Sequence, residues 1–145
     1  MTLFIATLAS LVLHEWAHAR VALWCGDYTP KDRLTLNPLA HLDWRWSLLV
    51  PLASYVLTAG AVVLGMGKPV PIAYSYLTRV QQLAVASAGI EMNLIIAAVC
   101  HLAGWHELAA VNWMLAAFNL LPFPGMDGWW ILKALSHTDS PRRVR

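Results

Sequence analysis

Residues 1–25 read MTLFIATLASLVLHEWAHARVALWC, an apolar run with His14-Glu15-Trp16-Ala17-His18 in its midst. On a helix, the four-residue spacing sets the imidazoles of His14 and His18 about 40° apart on one face, one turn from each other, which suits two ligands of a single Zn²⁺. Glu15 projects about 100° away from His14, near enough to work on a metal-bound water without being a ligand. The five-residue pattern alone is a modest signal. Its place sharpens it, because three ionisable side chains lie where hydrocarbon is expected and are costly there unless they have a function. The structural alternative is two histidines and a glutamate hydrogen-bonded inside a helix bundle.

Composition points the same way. Of the 145 residues, 59% are hydrophobic and 12% charged, and the mean hydropathy is +0.54. A soluble domain carries about a quarter charged residues, so the membrane class is favoured. The net charge of +2 is too small to argue for a nucleic-acid partner. The tail Pro141-Arg142-Arg143-Val144-Arg145 reads as a solvated end beside anionic headgroups. Cys25 and Cys100 make no disulfide framework and are expected as free thiols. The first stretch lacks the basic n-region and small-residue cleavage site of a signal peptide.

Four apolar stretches stand out: Thr2–Trp24, Trp46–Met66, Val80–Ala103 and Leu108–Leu135. The first and third are long enough to cross a hydrocarbon core of about 30 Å at about 1.5 Å per residue. The fourth is interrupted by Pro122-Phe123-Pro124-Gly125, which must break or sharply kink a helix. Gly26–Arg45 is polar and turn-rich, and the alternation of Arg33-Leu34-Thr35-Leu36 predicts a short strand. If Trp46–Met66 crosses fully there are four spans, with basic residues on both sides. If it re-enters, three full spans remain and all ten Lys and Arg fall on one face. The positive-inside bias favours the re-entrant arrangement, with a cytoplasmic C-terminus. The predicted fold is thus an all-α polytopic membrane protein. It has three full transmembrane helices, a re-entrant or fourth hydrophobic segment, and a short β-like segment beside the site, in a single membrane-embedded core over residues 1–145.

Two histidines leave a catalytic zinc site incomplete, since such sites take three protein ligands and keep a position open. The best third ligand is Asp127, in Asn119-Leu120-Leu121-Pro122-Phe123-Pro124-Gly125-Met126-Asp127-Gly128. In the three-span arrangement, His14 lies about 18 Å along its helix from the outer face, and Leu108–Leu121 runs about 21 Å from the same face before breaking. The break therefore arrives near the depth of the histidines. Asp127 also suits an N-cap for a helix starting at Gly128, and both roles can hold together.

These blocks resemble the site-2 protease family of intramembrane zinc metalloproteases, closest to the compact prokaryotic subgroup without a PDZ domain. The matches are His14–His18, Gly26–Lys31, Arg33–Asp43, Gly67–Pro71, Ala88-Gly89 with Asn93, and Asn119–Gly128. The resemblance implies that His14, His18 and Asp127 bind Zn²⁺ and that Glu15 is the general base. It also implies that Asn119 and Asn93 line the cleft, holding substrate backbone or the oxyanion; the alternative for either is a helix–helix hydrogen bond. The chain departs from the family at Ile90, where a proline is usual. Glu91 then sits near the site, facing the cleft or solvated. Asp43-Trp44-Arg45-Trp46 replaces D-P-x-G, a glycine before Arg33 is absent, and flanking spans are missing at both ends. For so near-minimal a version, homo-oligomer dependence is an open expectation. His41 could approach the zinc or contact headgroups. Of the tryptophans, Trp24, Trp44, Trp46 and Trp105 mark span ends, and Trp129 and Trp130 are expected to pack beside the site.

The implied activity is hydrolysis of a peptide bond within or near the membrane-spanning segment of a protein substrate, in a multi-pass protein of the cell membrane. Zinc lowers the pKa of its bound water towards about 7, and Glu15 accepts the proton and passes it to the leaving amine. A helical substrate must open locally, and Arg33–Asn37 could pair with its backbone as an added strand, which makes Asn37 a substrate-binding candidate. Two rivals stand beside this reading: a non-enzymatic membrane protein holding zinc for structure or transport, and a membrane-anchored enzyme acting on soluble peptides. Two His and a carboxylate suit zinc, though iron or cobalt could take the same ligands.

Overall fold

Helix boundaries follow local chemistry. A computed structural model describes residues 2–35, 37, 56 and 69–136. Its regular elements are all helical: α1 (Thr2–Trp24), α2 (Arg79–Leu102), α3 (His106–Asn119) and α4 (Asp127–Ser136), with 3-10 turns at Lys31–Arg33 and Tyr74–Tyr76. α1 ends where Gly26 takes φ 88°, with Gly26 N–H donating to Leu23 O at 3.0 Å and Asp27 N–H to Ala22 O at 2.9 Å. That is the paired bonding of a Schellman stop, which needs a residue free of the Cβ penalty. α2 ends the same way at Gly104, φ 79°, and begins on a reciprocal capping box between Thr78 and Gln81. α3 stops at Asn119 because Pro122 has no N–H to extend the ladder, and Gly125 at φ 97° turns the chain into α4.

α2 packs against each of the other three helices. It runs antiparallel to α1, since His14 meets Asn93 while His18, one turn further on, meets Val85. The side chains sealed between helices are mostly small: Ala17, Ala22, Ala86, Ala88, Ala97, Ala109, Ala116 and Ala134. Large apolar side chains such as Ile95, Val99, Met114, Leu120 and Leu132 face outward. Small residues inside let backbones approach closely, the packing that helices use when burial of large side chains is not what drives them together. Among the described residues α2 is the one helix both long and apolar enough to cross a membrane. α1 is nearly as long, with 23 residues, but carries His14, Glu15, His18 and Arg20.

The helices predicted at Thr2–Trp24 and Val80–Ala103, and the break after Leu121, therefore appear within a residue or two of their expected places. The predicted strand does not. Lys31–Arg33 is a 3-10 turn and Leu34 and Thr35 carry no regular structure, so no strand occurs among the described residues. The Asn37 N–H donates to Thr35 Oγ1 at 3.1 Å, a local bond that competes with extended pairing. The Trp46–Met66 question, spanning or re-entrant, and His41 lie outside the described residues.

Gly128 holds α4 against the end of α3. A Cβ there would meet the carbonyl group of Leu120 and, at 2.6 Å, the Leu121 oxygen, both backbone atoms that cannot rotate away. Gly128→Ala should therefore destabilise the protein by about 1–3 kcal/mol, measured by denaturation in detergent micelles. An unchanged midpoint would show that the two helix ends can separate at little cost.

Candidate metal centre

The break between α3 and α4 brings Asp127 onto the histidine pair of α1. His14 Nε2 and His18 Nε2 lie 3.2 Å apart. Asp127 Oδ2 is 3.3 Å from the first and Asp127 Oδ1 is 3.2 Å from the second. A metal bound at about 2.0–2.1 Å in tetrahedral geometry sets its ligand atoms about 3.3–3.4 Å apart. The two imidazole nitrogens are thus spaced as one edge of such a tetrahedron, and the carboxylate sets one oxygen beside each ring. Both histidines are buried, and Asp127 Oδ2, buried as well, has no hydrogen-bond partner. A buried carboxylate oxygen without a donor is expensive, and a cation held between the three groups would satisfy it. No other cluster of three such side chains occurs among the described residues.

α2 builds the wall behind the pair. His18 Nδ1 lies 2.7 Å from Val85 O; since a carbonyl can only accept, Nδ1 carries the proton and Nε2 keeps its lone pair for a metal. One turn along α2, Gly89 supplies room. A Cβ at Gly89 would overlap His18 Nε2 and sit within 2.6 Å of His14 Nε2. Another turn along, Asn93 Nδ2 lies 3.2 Å from His14 Nδ1.

Glu15 is oriented by a segment that sequence reasoning quoted without giving it a role. The Val70 N–H, between Pro69 and Pro71, donates to Glu15 Oε2 at 3.0 Å. That segment is in turn tied to the end of α1. Asp27 accepts from Ala73 N–H at 2.7 Å and from Thr29 N–H at 2.9 Å. Burial by itself would raise the Asp27 pKa; the hydrogen bonds from Thr29 and Ala73 outweigh it and hold the carboxyl below its ordinary value.

The triad opens onto a cavity of about 110 Å³, large enough for several waters. Glu15 and Asn119 line it, together with Tyr74 and Trp130, whose rings stack at 4.3 Å. Asn119 Nδ2 donates to Leu115 O at 2.9 Å, which fixes the side chain on the cavity wall. Asn93 is fully buried behind His14 and does not line the cavity; Asn37 is exposed and does not line it either. Glu91 is exposed and accepts from Ser87 Oγ at 2.6 Å, away from the cavity. Of these features, Gly89 and Val70 stood in quoted motifs and Asp27 in a turn. Nothing in the spacing signalled that Val70 meets Glu15, Ala73 meets Asp27 or Gly89 meets the two rings, pairs more than forty residues apart along the chain.

Neither a family model nor a solved structure matches the chain. Among curated proteins, YwhC of Bacillus subtilis is 34% identical over 158 residues, covering 92% of this chain and 68% of that protein. Its name carries the words zinc metalloprotease. The chain belongs to the site-2 protease family. Rip2 of Mycolicibacterium smegmatis, named in the same terms, is 33% identical over 94% of this chain. Rip2 of Mycobacterium tuberculosis is 32% identical over the same share. The chain spans 58% of the length of each Rip2 protein. In this member of the site-2 protease family, the triad, Glu15 and the segment that steadies it all fall within the described helices and the 69–78 connection.

The Asp27 clamp yields a pH prediction. A carboxyl whose folded pKa is depressed stabilises the fold above its unfolded value of about 3.9, and that contribution is lost as pH falls through the lower folded value. Asp27→Ala should cost about 1.5–3 kcal/mol at neutral pH. The gap to wild type should close as pH is lowered through and below about 4. Thermal melts of both proteins from pH 7 to pH 2 test this; a gap independent of pH would mean that the clamp does not depend on the charge.

Proposed function

We propose that this protein is an intramembrane zinc metalloprotease in which His14, His18 and Asp127 hold Zn²⁺ and Glu15 is the general base. The observation that carries the reading is a pair of imidazole nitrogens 3.2 Å apart with a carboxylate oxygen within 3.3 Å of each, one of those oxygens buried and without a hydrogen-bond partner. The names of YwhC and Rip2 support zinc and proteolysis. Outward-facing large apolar side chains and a central apolar helix support a bilayer setting. The Lys and Arg distribution supports a multi-pass arrangement with the C-terminus in the cytoplasm. The substrate class is then a membrane protein whose spanning segment unwinds at the cavity.

Zinc held by His14, His18 and Asp127 would supply the Lewis acidity needed to acidify a water and polarise a carbonyl. The chain's own residues do the rest. Glu15, steadied by Val70 N–H at Oε2, takes the proton of the attacking water and hands it to the leaving amine. Asn119, on the cavity wall, is placed to hydrogen-bond the substrate backbone. His18 stays in one tautomer through Val85 O, so the site does not have to reorganise as charge develops.

Wild type and Glu15→Gln reconstituted in liposomes with single-span reporter proteins should both hold one zinc. Cleavage should fall about 10²–10⁴-fold in the variant. Equal activity in the two would sink the base assignment and favour a protein that holds zinc for structure or transport.

A further inference from the structure

Asn93 sits at 0% exposure in the core, with one end of its carboxamide against a metal-ligand candidate. Its Nδ2 lies 3.2 Å from His14 Nδ1, while its Oδ1 has no hydrogen-bond partner. The proton inventory conflicts with that orientation. His14 Nε2 converges with His18 Nε2 and Asp127, so its lone pair must face the centre and the ring proton must sit on Nδ1. An amide NH₂ facing an imidazole N–H is a donor against a donor. The two ends of a carboxamide are nearly equal in size, and a half-turn about its last bond exchanges them. The orphaned oxygen then meets the imidazole proton.

We infer that Asn93 is a positioning residue for His14: its side-chain oxygen accepts the Nδ1 proton and fixes the tautomer that presents Nε2 to zinc. The inference rests on the metalloprotease reading and goes beyond it, since the cleft-lining role expected for Asn93 gives way to one behind the ligand. The partner histidine supplies the independent observation. Val85 O accepts from His18 Nδ1 at 2.7 Å, an acceptor that has no donor alternative. Val85, Gly89 and Asn93 follow each other at four-residue intervals on α2, one stripe facing α1. Within that stripe a backbone carbonyl serves His18, a missing side chain makes room for both rings, and a side-chain carbonyl serves His14.

The test is zinc affinity of the full chain in detergent, by competition with a chelator and without any substrate. Asn93→Leu keeps the shape and loses the acceptor; its zinc Kd should rise about 10–100-fold. Asn93→Asp can accept and cannot donate, so it should bind zinc about as tightly as wild type. Asn112→Leu is the control. Asn112 is equally buried and bonds Ser10 at 3.1 Å on the α1–α3 contact, so its loss should leave zinc affinity unchanged. Unaltered affinity in Asn93→Leu overturns the inference, and so does an Asn93→Asp variant as weak as Asn93→Leu, which would make Asn93 a donor. Should Asn93→Leu fail to fold, Asn93→Asp decides alone between acceptor and donor. Wild type that takes up no zinc would overturn the metalloprotease reading itself, and this inference with it.

Discussion

Two imidazole nitrogens 3.2 Å apart, each with an oxygen of the Asp127 carboxylate within 3.3 Å, meet among the helices at the wall of the cavity. Left alone, such groups repel or compete for too few protons, and the low dielectric around them magnifies the cost. A cation resolves all three contacts together. The surrounding fold is arranged to keep the groups from relaxing apart. Val85 O restrains one ring, α2 presses on both at Gly89, and the turn after α3 fixes the carboxylate.

Around that centre the packing is suited to close approach. Alanines and glycines occupy the helix contacts, so backbones rather than side chains determine how near the helices come. Polar groups in the interior tie separate segments together, as Asn112 of α3 does with Ser10 of α1 and Asp27, just past α1, does with Ala73. The second of these ties carries the influence of the α1 terminus to Glu15, because the same connection supplies the Val70 N–H.

The grouping of His14, His18 and Asp127 was legible in the sequence because it is written in spacing. Four residues place His14 and His18 on one helix face, and two prolines with a glycine must end α3 near their depth and deliver Asp127. The supporting contacts were not legible. Val70 with Glu15, Ala73 with Asp27 and Gly89 with the two rings join residues far apart in sequence, and no local pattern encodes such pairs. The strand expected at Arg33–Leu36 failed for a related reason. Alternation measures only the suitability of a segment, whereas a strand also needs a neighbour, and the local Thr35–Asn37 bond competes for the backbone.

Both Gly89 and Gly128 act through the atoms they lack. Gly128 lets one backbone rest on the carbonyls of another, and Asp127 is its immediate neighbour. The location of the carboxylate therefore depends on a main-chain contact at the next residue. The outward-facing positions Leu120, Leu132 and Leu135 are free to drift with whatever surrounds the protein. Room for added atoms thus has a sharp internal boundary: exposed side chains have space around them, while at two glycines a single methyl group would meet the candidate ligands or the backbone beside them.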